Sequence, residues 1–149
     1  IGRLLLIKAA RRLRREGYYC AGVWLWLSVR DGSWSGKHHL PIVNDDHAIL
    51  AGLDTLWRQV RTAWPRVTTV FRIGVTLYNL SRADQRQLDM LLMDDGQRRR
   101  AERASQAIDA LNARYGRTVV SHGMWRPPSG GHVGGKISYT RIPSAEDFW

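Results

Sequence analysis

The sequence predicts an α+β fold: a two-layer domain in which an antiparallel sheet carries two helices on one face, followed by a small C-terminal helical extension. Two long segments repeat apolar residues at helical spacing, and others alternate apolar with polar residues at strand spacing. The order helix, strand, strand, helix, strand then lets both helices fall on the same side of the sheet and leaves its other face open.

Residues 4–15 form the first predicted helix. Leu6, Ala9, Ala10 and Leu13 share one stripe, with Lys8, Arg11, Arg12, Arg14 and Arg15 largely opposite. Glu16-Gly17 ends it, because glycine tolerates the backbone of a helix C-cap. Residues 22–30 read as a strand with Val23, Leu25, Leu27 and Val29 on one face and Trp24, Trp26, Ser28 and Arg30 on the other. Asp31-Gly32-Ser33 is a hairpin signal, and residues 34–40 are the return strand, stopped by Pro41. Asn44 is a good N-cap, with Asp45 and Asp46 in the first turn of a second helix that runs to about Trp64. Its stripe is Ile49, Leu53, Leu56, Val60 and Trp64, with Trp57 on the border and Pro65 as the stop.

Residues 67–77 alternate again, with Ile73, Val75 and Leu77 against Arg72, Gly74, Thr76 and Tyr78. Residues 81–96 are polar apart from Leu88, Met90, Leu91, Leu92 and Met93, and read as a linker carrying a short apolar plug. A third helix spans 98–115 and ends at Gly116, with Ala104, Ala107, Ile108 and Leu111 as its apolar stripe. Residues 118–121 are a candidate strand, 126–135 a Pro- and Gly-rich loop, and 136–142 an extended segment that could cover part of the domain. The division expected is therefore 1–80, the two-layer domain, 81–97, a linker, and 98–149, a C-terminal extension.

Composition narrows the function. A chain of 149 residues has room for one ordinary domain, or one small domain with an appendage, which excludes a large enzyme. Apolar residues at 44% and charged ones at 24% are ordinary globular values. The balance of 23 Lys and Arg against 13 Asp and Glu is not ordinary; the resulting +10 favours polyanions, nucleic acid first and an anionic membrane surface second. The excess is concentrated in residues 1–30, where Lys8 and six arginines face Glu16 alone. From Ser81 onward eleven basic residues face eight acidic ones, a mixture that reads as a solvated helix face. No apolar run approaches a membrane span or a signal-peptide core. The single cysteine, Cys20, has no internal disulfide partner and reads as a small buried side chain, as expected in a reducing cytoplasm.

Taken together, the elements over residues 1–80 resemble the little finger domain of bacterial Y-family (translesion, DNA polymerase IV-like) DNA polymerases. Arg72-Ile73-Gly74-Val75-Thr76-Leu77, followed by Asn79-Leu80, looks like that family's last strand, and Lys37-His38-His39-Leu40-Pro41 is similar to a basic strand end. Residues 107–116 and 136–143 resemble the tails of bacterial members. The resemblance implies that the open sheet face lies along duplex DNA and holds mainly phosphates, through Ser28 and Arg30, Lys37 and His39, and Arg72 and Thr76. Trp24 and Trp26 depart from that pattern, being bulky groups on the face meant for DNA. Gln87-Leu88-Asp89-Met90-Leu91 resembles the peptide with which bacterial polymerases dock on the sliding clamp, with Met90-Leu91 where the pattern usually ends in Leu-Phe; an amphipathic turn packing on its own domain is the other reading of that segment.

The converging carboxylates that hold the catalytic metals in the family's palm domain are missing from the sequence. The chain also begins in a helix where a little finger begins with a strand. The expectation is a non-catalytic piece of a DNA-directed DNA polymerase, needing no cofactor. A free-standing basic RNA-binding protein is the alternative, and exposure of Trp24 and Trp26 would favour it. Three other patterns carry less weight. His38, His39, Asp45, Asp46 and His47 could be drawn as a metal site, but the acids are already explained by a helix start. Gly130 to Lys136 has phosphate-loop spacing, yet Ile137 stands where Ser or Thr is required. Ser121-His122 lacks an acidic partner and a nucleophile-elbow context.

Overall fold

The computed structural model describes residues 1–30, 32–66, 69–82 and 95–123. In chain order the elements are α1 (Gly2–Arg15), β1 (Tyr18–Val29), β2 (Gly32–Val43), α2 (Asp46–Ala63), β3 (Arg72–Arg82) and α3 (Asp95–Tyr115). The sheet is antiparallel throughout, in the order β2-β1-β3, and α1 and α2 pack on one face of it.

The core is what the two periodicities require. Val23, Leu25 and Leu27 of the central strand are fully buried. They meet Leu6, Ala10 and Leu13 of α1 and Ile49, Leu53, Leu56 and Val60 of α2 in one cluster. The register sets His38, Gly36 and Trp34 of β2 and Leu77, Val75 and Ile73 of β3 beside the same three β1 residues. Gly17, at φ 73, supplies the left-handed residue between α1 and β1.

Several boundaries differ from the sequence reading. β1 begins at Tyr18 rather than 22, and the hairpin turns between paired Val29 and Gly32, so Gly32 and Ser33 are already strand and Arg30 is turn. β2 continues through Pro41 to Val43 because it is an edge strand and its pairing is interrupted there. Cys20 pairs with Val43 and Gly22 with His39, a bulge that leaves Leu40, Pro41 and Ile42 outside the regular ladder, where a missing N–H costs nothing. Cys20 also belongs to the core cluster, three residues from Val23 and so out of step with the alternation. Burial pushes the Cys20 thiol up to about 11, and its sulfur donates to the Val43 carbonyl at 3.5 Å. β3 is shifted towards the C-terminus, Arg72 to Arg82, with the Phe71 N–H bonded to the Ser28 carbonyl just before it.

The N-cap of α2 is Asp45, not Asn44. Its backbone is extended and its carboxylate accepts from the Ala48 N–H at 2.8 Å. Asn44 Oδ1 is buried without a hydrogen-bond partner among the described residues, while Arg14 holds the chain on both sides of the cap. Its Nη1 donates to the Asn44 carbonyl at 2.7 Å and to Asp46 Oδ1 at 2.8 Å, so the residues on either side of Asp45 are both committed to it.

The third helix is docked through its polar side. The sequence reading turned Ala104, Ala107, Ile108 and Leu111 inward; in the structure Ala104, Ala107 and Leu111 are exposed and Ile108 is half-buried, while Glu102, Ser105 and Asn112 are buried. Hydrogen bonding explains the inversion. Arg14 reaches across from α1 to grip Asp109 with two bonds of 2.6 and 2.9 Å, and Ser105 Oγ accepts from the Asp46 N–H at 3.0 Å. The side chains of Arg14, Asp46 and Asp109 are 5%, 2% and 22% exposed. Burial works against the charge on Arg14, but Asp109 and Asp46 outweigh it and hold its pKa above the ordinary value. Burial raises the Asp46 pKa, and the nearby Asp109 adds to the rise against the pull of Arg14. Residues 118–121 are not a strand: Asn112 Oδ1 accepts from the N–H groups of Val119 and Val120 at 2.8 and 3.0 Å and its Nδ2 donates to the Val120 carbonyl at 2.8 Å. The 136–142 segment lies outside the described residues.

Replacing Arg14 with Met should leave Asp46 buried without its partner and cost roughly 3–5 kcal/mol, the usual penalty for breaking a buried pair from one side. Urea unfolding and amide exchange read this together. Exchange should rise first along Ser105–Asn112, and an unchanged unfolding curve would refute the role given to Arg14.

Candidate nucleic-acid interface

The face of the sheet away from the two helices is laid out by register. Ser28 stands between Ser33 and Arg72, Trp26 between Ser35 and Gly74, Trp24 between Lys37 and Thr76, and Gly22 between His39 and Tyr78. From Gly22 to Ser28 this grid runs about 20 Å along the central strand. Lys37, His39, Arg72 and Thr76 are exposed and Ser28 is half-buried. The structure thus brings together five of the six residues named for DNA contact. Arg30 is exposed but sits in the hairpin turn beyond the grid, because β1 ends at Val29. Gln87, Leu88, Asp89, Met90 and Leu91 lie outside the described residues.

One arrangement on this face was not foreseen. The ring of Tyr78 of β3 lies over Gly22 of the central strand, in the space that any Cβ there would need. This lets its hydroxyl cross β1 and donate to the His38 carbonyl of β2 at 3.3 Å. Lys37 Nζ lies 5.7 Å from the centre of the Tyr78 ring, within cation–π range, and the His39 ring meets it edge-on at 5.9 Å. Tyr78 is therefore both a strut between the outer strands and a platform that positions the two basic side chains. The sequence signal was glycine in the middle of a strand, which marks a close approach. Without the register it does not say what approaches.

Trp26 rests against Gly74, 3.6 Å from where a Cβ would stand, and is half-buried, whereas Trp24 is 37% exposed. The face is therefore basic at its edges and aromatic along its middle. Such a surface can hold phosphates by charge and hydrogen bonding, or stack a base on Trp24.

The residues of the other sequence patterns are otherwise engaged. His38 and His39 point to opposite faces of β2, Asp45 caps α2 and Asp46 pairs with Arg14. Among the described residues no group of three or more His, Cys, Asp or Glu could hold a metal ion. Ser121 Oγ donates to the Gly123 carbonyl at 3.2 Å, and the His122 ring lies edge-on to His47 at 6.2 Å. The 130–136 segment lies outside the described residues. No helix among the described residues is long and apolar enough to cross a membrane.

Among the described residues, two helices lie on one side of a three-stranded antiparallel sheet whose other face is basic and aromatic, an α+β domain of the little-finger type. The model of the impB/mucB/samB family C-terminal domain matches residues 3–90. The chain belongs to that family, whose C-terminal domain is the little-finger region of Y-family DNA polymerases. No curated protein and no solved structure matches the chain.

Changing Gly22 to Val should displace Tyr78 and destabilise the domain by roughly 1–3 kcal/mol, as overpacking does. In a Tyr78→Ala background the same change should cost much less, and a double-mutant cycle measures the difference. Additive effects would show that Gly22 is not a slot for the ring.

Proposed function

We propose that this protein is the DNA-gripping part of a Y-family translesion polymerase and that its open sheet face holds the phosphates of duplex DNA. The observation that carries the reading is the placement of Lys37, His39, Arg72 and Thr76, all exposed, on one sheet face within a family of polymerase domains. Phosphate contact requires donors and positive charge without a base code, which is what this grid offers. Ser28 adds a hydroxyl beside Arg72, and Arg30 extends the charge beyond the strand end. The grip needs no cofactor, nucleotidyl transfer is assigned to a separate palm domain, and the setting is the bacterial cytoplasm. The exposure of Trp24 supports a second reading, in which the same face stacks single-stranded nucleic acid, RNA included.

Binding measured over a salt series separates the two. Arg72→Ala should weaken duplex binding equally on unrelated sequences and reduce the slope of log affinity against log salt by about 0.9. Arg61→Ala, which removes the same charge from exposed α2 surface on the covered side of the sheet, should leave the slope in place. Trp24→Ala should matter little on duplex; a loss of roughly 1–3 kcal/mol confined to single strands would instead favour stacking. Equal behaviour of the two arginine variants would remove the sheet face from consideration.

The reading includes a sliding-clamp contact through Gln87, Leu88, Asp89, Met90 and Leu91, supported by the likeness of that segment to clamp-docking peptides. So few anchors make each one decisive. The full chain should be retained weakly by an immobilised bacterial clamp, and the Gln87→Ala, Leu88→Ala double variant should not; equal retention would end the proposal.

A further inference from the structure

The polar docking of α3 sorts its charges. Glu102 and Asp109 face the domain, the first buried and the second held by Arg14. Arg100, Arg103 and Arg114 lie on the outward side, and Arg117 follows just beyond the helix; all four are exposed. An apolar-inward helix would have carried Glu102 and Asp109 to the surface and cancelled part of this charge. Between the basic ends the outward side carries exposed Ala107, Ala110 and Leu111. The separation from Arg103 to Arg114 is about 16 Å along the helix axis. That is somewhat more than the roughly 12 Å width of a duplex major groove. Arginines at the two ends can therefore reach phosphates on both walls of a groove whose floor the alanines face. α3 leans on α2, which belongs to the layer covering the other side of the sheet, so this surface is separate from the open sheet face.

We propose that the outer side of α3 is a second nucleic-acid-binding surface, which takes the phosphate backbone of duplex DNA independently of the sheet. The proposal goes beyond the sheet-face reading and does not require it. An acidic protein helix, packed on the exposed stripe of Ala104, Ala107 and Leu111 beside the arginines, is the other partner such charge could attract; the roughly 16 Å between Arg103 and Arg114 favours the two walls of a groove.

The test uses the full chain and a mixed-sequence duplex over a salt series, in four forms. These are the wild type, the α3 variant (Arg100→Gln, Arg103→Gln, Arg114→Gln), a sheet variant (Lys37→Ala, Arg72→Ala), and the two combined. Glutamine keeps side-chain length and helix propensity. The α3 variant should lose about tenfold or more in affinity at roughly 0.1 M salt, and about 2 to 3 from the salt slope, at ~0.9 per phosphate contact. The loss should be the same in the wild-type and sheet-variant backgrounds. Lysine at the same three positions should restore most of it, because charge and not helix stability is being tested. If the glutamine variant matches its parent in both backgrounds, or if lysine fails to restore binding, the proposal is overturned, whatever else the surface binds. A sheet variant without effect, alongside an intact α3 loss, would sink the sheet-face reading and leave this one standing.

Discussion

Arg14 is the constraint on which the arrangement of the helices depends. One guanidinium ties the end of α1 to the Asn44 carbonyl, to Asp46 at the start of α2 and to Asp109 of α3, with its side chain 5% exposed. Charges removed from water this thoroughly are tolerable only when each finds a partner of good geometry. Arg14 satisfies that condition for both carboxylates at once, and two of its bonds form a fork on Asp109 that fixes direction as well as distance. The rotation of α3 about its axis and the polarity of the surface α3 presents follow from it.

The sheet obeys a simpler rule. Three strands with helices on one side bury one face, and the uncovered face is free to carry polar and aromatic groups. Because β1 is central, its outward residues are flanked on both sides, so each donor on this face has a neighbour from another strand. The bulge opposite Pro41 ends the regular ladder on the edge strand beside the core, and it does so without exposing the buried Cys20.

Most of the sheet and the helices α1 and α2 were legible because burial imposes periods of 2 and 3.6 on the residues that meet the core. The alternation of Val23, Leu25 and Leu27 and the stripe of Ile49, Leu53, Leu56 and Val60 are such residues, and they lie where the pattern put them. Ser28, Arg72 and Thr76 on the open face were legible for the same reason, as the reverse side of that alternation, whereas Lys37 and His39 came from the family resemblance; Arg30 fell outside the face because the turn came earlier than its Asp-Gly signal suggested. What could not be read depends on contacts distant in sequence. That Asp45 and not Asn44 caps α2 shows only in the fold, where Arg14 holds the Asn44 carbonyl from thirty residues away. The rotation of α3 was read wrongly because apolar periodicity assumes that burial is driven by apolar area. Ser105, Asp109 and Asn112 bury instead by satisfying donors on α1, α2 and the chain that follows α3. The family match rests on the parts that were legible, since residues 3–90 contain the sheet, α1 and α2 and stop short of α3.

The Tyr78 strut also limits how this domain can diverge. The ring occupies the volume of a side chain at position 22, so neither position can change freely while the other is kept. A larger residue at 22 becomes tolerable only after the aromatic at 78 has been lost, and with it go the hydroxyl bond to β2 and the platform beneath Lys37 and His39. Drift at one site is thus gated by the other, and a lineage that abandoned the pair would have to rebuild the basic edge of the sheet by different means.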